Sequence, residues 1–143
     1  MSYNIEQANS GFLSLTAAGL AAGTNTGTFK TTNTLTFTNN GVFKSKAATD
    51  NLAFSSGHTA LAANQACLFA VWINTSGTVS TTQGPIQASG DPCPVPTQVT
   101  ANTTLVGLIK VVATATFTPG TTALGTGNTA TYFDCMDMPG SAQ

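Results

Sequence analysis

CLFAVWINTSGTVSTT, residues 67–82, indicates the fold class of this chain of 143 residues. A run rich in β-branched and aromatic side chains leads into Thr75-Ser76-Gly77, and a second β-forming run follows. A three-residue loop that ends in glycine is typical of a β-hairpin, and it pairs Ile73 with Val79. The first run is apolar on both faces. This predicts a strand that is central in a sandwich or covered by a neighbouring subunit.

A second hairpin is predicted in TLTFTNNGVFKSKAA, residues 34–48, which contains two of the four lysines. A two-residue turn at Asn40-Gly41 would place Phe37 opposite Lys44, which mixes core and solvent on one face. A three-residue loop that begins one position earlier places Phe37 opposite Phe43, so this register is expected. It turns four polar side chains outward: Thr34, Thr36, Lys44 and Lys46.

Short β-forming segments separated by turn residues follow one another from about residue 25. Residues 104–113 and 129–136 are further predicted strands, and the proline-rich residues 84–98 are predicted to form a connecting loop. This succession predicts an all-β fold, an antiparallel β-sandwich or barrel of short strands joined by hairpins. Residues 25–143 are expected to form a single β domain.

Residues 1–24 are expected to form a short N-terminal arm or helix. Apolar side chains over residues 5–20 could line a short helix, although Gly11 and Gly19 would interrupt it. An extended arm that docks on a neighbouring subunit fits the sequence equally well. Lys44 and Lys46 are expected either to face solvent or to form salt bridges with a partner. The candidate interface residues are therefore Ile5, Phe12, Leu13, Leu20, Lys44 and Lys46.

The chain has very few charged side chains. Four lysines and five acids give 6% charged residues and a formal net charge of −1, against about 25% charged residues in ordinary soluble domains. Binding to nucleic acid is not expected, since its affinity comes largely from Lys and Arg on phosphates. The surface is instead hydrated by 27 Thr, 11 Asn and 10 Ser. Burial of paired hydroxyls costs less than burial of ions, which favours permanent assembly.

No targeting or membrane segment is expected. The first residues lack the positive region and the long apolar region of a secretory signal. The longest apolar run, residues 66–73, is far shorter than the ~20 residues of a membrane helix. We therefore expect synthesis as a soluble cytosolic chain, with no membrane partner.

Titratable side chains form no recognisable catalytic group. Asp134 and Asp137 are a close pair of acids, but residues i and i+3 of a strand point to opposite faces, unlike a glycosidase pair. His58 lies near serines without a nucleophile elbow. It is predicted to be a loop histidine, with pH sensing or partner contact as alternatives. No enzymatic activity and no cofactor are expected.

The three cysteines and the tryptophan give only weak indications of a functional site. Cys67, Cys93 and Cys135 lack the spacing of a zinc site, so no metal site is expected. We expect free thiols, with one disulfide as the alternative. Trp72 is expected in the core, with a sugar-stacking platform as the alternative.

Four sequence segments, in the order in which they occur in the chain, resemble small β-rich structural proteins of tailed bacteriophages, of the kind found as capsid decoration (cement) proteins or head fibres. The resemblance covers roughly residues 25–136. The four segments are VFKSKAATDNLAF (42–54), LAANQACLFAVWINTSGTVS (61–80), LVGLIKVV (105–112) and TFTPGTTALGTGNTATYFD (116–134).

This resemblance implies a non-enzymatic virion protein that is made in the host cytoplasm and binds the outer capsid shell. Its expected partners are the major capsid protein and further copies of itself in a homotrimer. Two alternatives remain open at this stage. One is a tail or fibre component, and the other is a carbohydrate-binding or adhesin module that contacts host surface glycans.

Overall fold

The computed structural model describes residues 11–98 and 100–136, and this part of the chain is all-β, which confirms the predicted fold class. Among these residues there are no helices, and hence none that could cross a membrane. The described residues form ten strands: β1 (Leu20–Ala22), β2 (Thr28–Thr31), β3 (Leu35–Asn39), β4 (Val42–Lys46), β5 (Thr49–Ala53), β6 (Gln65–Asn74), β7 (Val79–Gln83), β8 (Gln87–Ala88), β9 (Thr103–Ala113) and β10 (Asn128–Asp134).

The strands form antiparallel sheets that share one hydrophobic core. The largest sheet has the order β10-β9-β6-β7, and β8 also pairs with β6. The other two are β1-β2-β5 and the hairpin β3-β4. Each sheet contributes a fully buried aromatic ring to the core, Phe29 from β2, Phe37 from β3 and Phe69 from β6. This packing of sheet against sheet is consistent with the predicted sandwich.

β6 is central in the largest sheet, as its two apolar faces predicted. It pairs with β9 along one edge, and with β7 and β8 along the other. The predicted β6–β7 register is confirmed, with Ile73 opposite Val79 and Trp72 opposite Ser80. Gly77 has φ +80°, the left-handed conformation that favours glycine at the end of a three-residue hairpin loop.

The register predicted for β3 and β4 is wrong. A two-residue turn at Asn40-Gly41 connects the strands, and it places Phe37 opposite Lys44. Both turn residues have positive φ, 51° and 73°, as in a type I′ turn, whose twist matches that of the strands. Asn39 is the last residue of β3, and its side chain is fully buried. Its amide oxygen accepts a hydrogen bond from Thr75 Oγ1 at 2.6 Å, and its amide nitrogen donates one to Asn102 O at 3.0 Å.

Residues 11–19 lie beside β3 in a non-helical conformation, so the helix considered for residues 5–20 is wrong for its described part. Two backbone hydrogen bonds of 2.8 Å join this segment to β3, and Ser14 forms an antiparallel bridge with Phe37. Left-handed φ values at Gly11 and Gly19, 69° and 63°, are incompatible with a continuous helix. β1 pairs with β2, so backbone hydrogen bonds join the chain on the two sides of residue 24.

Candidate functional site

Residues 11–19 and the β3–β4 hairpin together present an uncharged, outward-facing surface. Leu15 N donates to Thr36 O, and Thr38 N donates to Leu13 O. Since side chains alternate between the two faces of a strand, the burial of Ser14 and Phe37 on the inner face turns their neighbours outward. The outward-facing side chains define what we call the outer hairpin surface: Leu13, Leu15, Thr36, Thr38, Phe43 and Ser45.

Phe43 is the exposed aromatic side chain of the outer hairpin surface. Its side chain is 66% exposed, and it lies opposite Thr38, whereas Leu13 and Leu15 are half-buried. The expected contact of Phe43 with Phe37 is absent from this register, because the two rings lie on opposite faces of the hairpin. The surface is therefore a mixture of apolar and hydroxyl groups without any charge.

Lys44 and Lys46 lie on the face opposite to the one predicted for them. They stand directly across from Phe37 and Leu35, both of which point into the core, and each lysine is half-buried. Half-burial fits the way lysine covers apolar surface with its stem while its ammonium group reaches water. Charges that point inward on an edge strand also discourage pairing with other strands. The positions of Lys44 and Lys46 on β4 match this arrangement.

The remaining candidate interface residues have different environments. Phe12 is half-buried, next to Gly11, whose carbonyl accepts a hydrogen bond from Gly41 N at 3.1 Å. Leu20 is only 7% exposed and belongs to the core, which leaves little of its side chain for a partner. Ile5 lies outside the described residues.

A cleft of about 420 Å³ lies beside β7, the edge strand of the largest sheet. It is open to solvent, and its lining combines one aromatic side chain, one histidine and many hydroxyls. The lining residues are Ser55, Gly57, His58, Trp72, Ser80, Thr81, Thr82, Gln83, Pro96, Thr97, Thr100 and Thr103.

Trp72 is half-buried at the cleft, so it is neither a fully buried core residue nor a freely exposed one. Its Nε1 donates a hydrogen bond of 2.8 Å to Thr82 Oγ1. Trp72 lies opposite Ser80 on the face of β6 that does not carry Phe69 and Val71. The hydrogen bond holds the ring in place and satisfies its only polar group.

His58 lies in the loop between β5 and β6, as predicted. Its Nε2 is 2.8 Å from Thr81 Oγ1, and its ring packs edge-on against Phe69 with centroids 5.4 Å apart. Burial lowers the pKa of His58 from its ordinary value of 6.5, because a charged ring would lose solvation there. No lysine, aspartate or glutamate lines the cleft to compensate.

The depressed pKa of His58 predicts that stability declines in mild acid. The unfolded chain binds this proton more readily, so the contribution of the neutral ring is complete above the ordinary value of 6.5. It decreases as the pH falls below that value, and the loss is complete once the pH is below the folded-state pKa. Urea midpoints between about pH 8 and pH 5 measure this, and His58→Gln should remove this component. An unchanged slope in the variant would contradict the assignment.

The Asp134 carboxylate connects two parts of the fold. Asp134 Oδ2 and Oδ1 accept hydrogen bonds from Gly19 N and Leu20 N, at 3.0 and 3.1 Å, which join β10 to the start of β1. Its proposed companion, Asp137, lies outside the described residues. Within residues 11–98 and 100–136 no group of three or more His, Cys, Asp or Glu side chains could hold a metal ion.

The three cysteines form no disulfide in the structure. Cys67 is buried in β6, and burial is the main reason that its pKa rises to about 11, although Gln83 Nε2 lies 3.6 Å from its Sγ. A thiol with such a pKa is almost entirely protonated at neutral pH and reacts slowly.

Sequence patterns identified only part of the cleft. Trp72 and His58 are separate candidates in the sequence, and no local pattern places both at one cleft. Pro96, Thr97, Thr100 and Thr103 also reach the cleft. No local pattern indicates which part of a proline-rich loop packs against an edge strand. The six-residue outer hairpin surface was missed for another reason, since it depends on the register of the turn.

Comparison with known proteins found no family model, no curated protein and no solved structure that matches this chain. Functional inference therefore depends on the residues themselves.

Proposed function

We propose that the protein is a non-enzymatic decoration protein of a tailed bacteriophage, which binds the outer surface of the capsid and stabilises the virion. The observation that carries the proposal is the outer hairpin surface, an uncharged patch on which Phe43 is 66% exposed. Its partner would be the major capsid protein. Synthesis in the host cytoplasm and assembly as a homotrimer are parts of the same proposal.

The chemistry of the surface supports a permanent contact rather than a transient one. Threonine and serine hydroxyls can be desolvated at modest cost when they are paired, and no ion has to be buried. Leucine and phenylalanine gain roughly 25 cal/mol for each Å² of apolar area removed from water. Many copies on one shell would add these modest contributions, and this would raise the barrier to rupture of the capsid.

Phe43→Asp is expected to weaken binding to shells that lack the protein by about 10- to 100-fold. Burial of a phenylalanine side chain is worth roughly 1.5–3 kcal/mol, and the aspartate adds a desolvation cost. Because Phe43 is so exposed, the fold should be retained. Val95→Asp is the matched control, since Val95 is 55% exposed in the loop before β9.

Co-sedimentation of purified variants with depleted shells measures this effect. Equal binding by the Phe43 and Val95 variants would contradict a role for the outer hairpin surface. Wild-type protein that fails to bind the shells at all would contradict the proposed function itself. Sedimentation of the free protein gives the oligomeric state independently.

A further inference from the structure

The cleft beside β7 has the composition of a site for a small, neutral, hydroxyl-rich ligand. Pockets for such ligands typically measure about 300–1,000 Å³ and combine an aromatic wall with a few polar groups; this cleft measures about 420 Å³. Lysine, aspartate and glutamate are absent from its lining. Charged ligands would find no counter-charge there.

Two rings that line the cleft are fixed before any ligand arrives, Trp72 on the outer face of β6 and His58 on the face that carries Phe69. Trp72 is held by Thr82 and His58 by Thr81, each through a contact of 2.8 Å. The only polar group of the indole is already satisfied, so the part of the ring that lines the cleft offers apolar C–H contact. Rings that are held in advance lose little conformational entropy when they bind a ligand.

Several polar groups of the lining have no partner within the described residues. These groups are the hydroxyls of Ser80, Thr97 and Thr100, for which the described part of the chain supplies no hydrogen bond. Hydroxyls both donate and accept, so they suit a ligand that does the same. By contrast, the Gln83 amide is already engaged with Thr59 on both sides, at 2.7 and 2.8 Å.

The edge of β7 within the cleft is closed to a peptide strand. Thr81 N donates to Ser55 Oγ, and Ser55 N donates to Thr81 Oγ1, both at 2.9 Å. This reciprocal pair occupies the backbone group that strand addition would need. A compact ligand that stacks on the indole and bonds to hydroxyls fits the cleft better than an extended peptide.

We infer that this cleft binds a neutral saccharide, with one sugar ring packed on Trp72 and its hydroxyls bonded to Ser80, Thr97 and Thr100. The inference does not depend on the proposed capsid contact, which uses a different surface. A decoration protein with such a site would present a sugar-binding cleft on the particle.

Trp72 supplies a direct readout, because it is the one tryptophan in the chain. Its fluorescence is titrated with the methyl glycosides of glucose, galactose, mannose and N-acetylglucosamine, and with their β-1,4-linked and α-1,4-linked disaccharides. Sorbitol, which has hydroxyls but no ring, is the control compound. A saturable change in emission with at least one sugar, and none with sorbitol, is the expected result.

Isosteric variants locate the binding. Thr97→Val and Thr100→Val each remove one hydroxyl, and each should weaken binding about three- to tenfold, which corresponds to one ordinary hydrogen bond. Thr131→Val, on the exposed face of β10, is the matched control and should bind as the wild type does. Amide chemical shifts, followed in the same titrations, check for binding that leaves the fluorescence unchanged.

Three results would overturn the inference. The first is the absence of a saturable response in both fluorescence and chemical shifts across all the sugars. The second is binding that Thr97→Val and Thr100→Val leave unchanged. The third is protection of Trp72 from acrylamide quenching upon self-association, since the cleft would then be covered by a second copy of the chain.

Discussion

Phe69→Ala is expected to lower the free energy of unfolding by about 3–5 kcal/mol, the usual range for removal of a buried aromatic side chain. Phe69 is fully buried in the central strand β6. Its ring lies 5.1 Å from that of Phe54 and 6.3 Å from that of Phe117, and both pairs meet edge to face. Truncation would leave a cavity and remove these aromatic contacts together.

Urea denaturation followed by circular dichroism measures the change. Phe43→Ala is the matched control, because it makes the same substitution at a side chain that is 66% exposed, and it should change stability by no more than about 0.5 kcal/mol. Equal destabilisation by both variants would show that Phe43 is packed inside. That result would contradict the register described for β3 and β4.

Gly27→Ala is expected to destabilise the fold by about 3 kcal/mol or more, through two separate causes. Gly27 has φ +75°, which costs an L-residue about 1–2 kcal/mol. A Cβ atom there would also lie 2.5 Å from both the carbonyl carbon and the oxygen of Gly120. Backbone atoms cannot move aside as a flexible side chain can, so the clash adds to the conformational cost.

Two further alanine substitutions separate these causes. Gly77 has φ +80° but open space around it, so Gly77→Ala should show only the conformational cost of about 1–2 kcal/mol. Gly90 has neither a positive φ nor a close neighbour, and Gly90→Ala should be neutral or stabilising by up to about 1 kcal/mol. Thermal unfolding of the three variants should follow this order, and a Gly27 variant as stable as the Gly77 variant would contradict the close packing at Gly120.

The two hairpins show how far local sequence determines this fold. In β6–β7 the apolar pattern and the turn chemistry agreed, and the predicted register is confirmed. In β3–β4 they conflicted, because the apolar pattern favoured Phe43 inside while Asn40-Gly41 favoured a two-residue turn. The turn prevailed, and the buried amide of Asn39 helps to fix it. Its hydrogen-bond partners include Thr75 and Asn102, far along the chain, so no local pattern could have shown this.

The two candidate functional surfaces also depend on contacts between distant parts of the chain. Residues of the cleft come from the loop before β6, from β6 and β7, from the loop before β9 and from the first residue of β9. Only the packing at the sheet edge brings them together. The fold class could be predicted from the alternation of apolar and polar residues and from the turn residues. The composition of each surface depends on the strand register, because a shift of one residue moves every side chain of a strand to the opposite face.

Imaging of intact phage particles that carry this chain tests the central claim most directly. Electron cryomicroscopy would compare particles that contain the protein with particles that lack it. We expect difference density at regular positions over the outer shell, with the outer hairpin surface against the major capsid protein. Difference density confined to the tail, or none on the shell, would contradict the proposal that this protein stabilises the capsid.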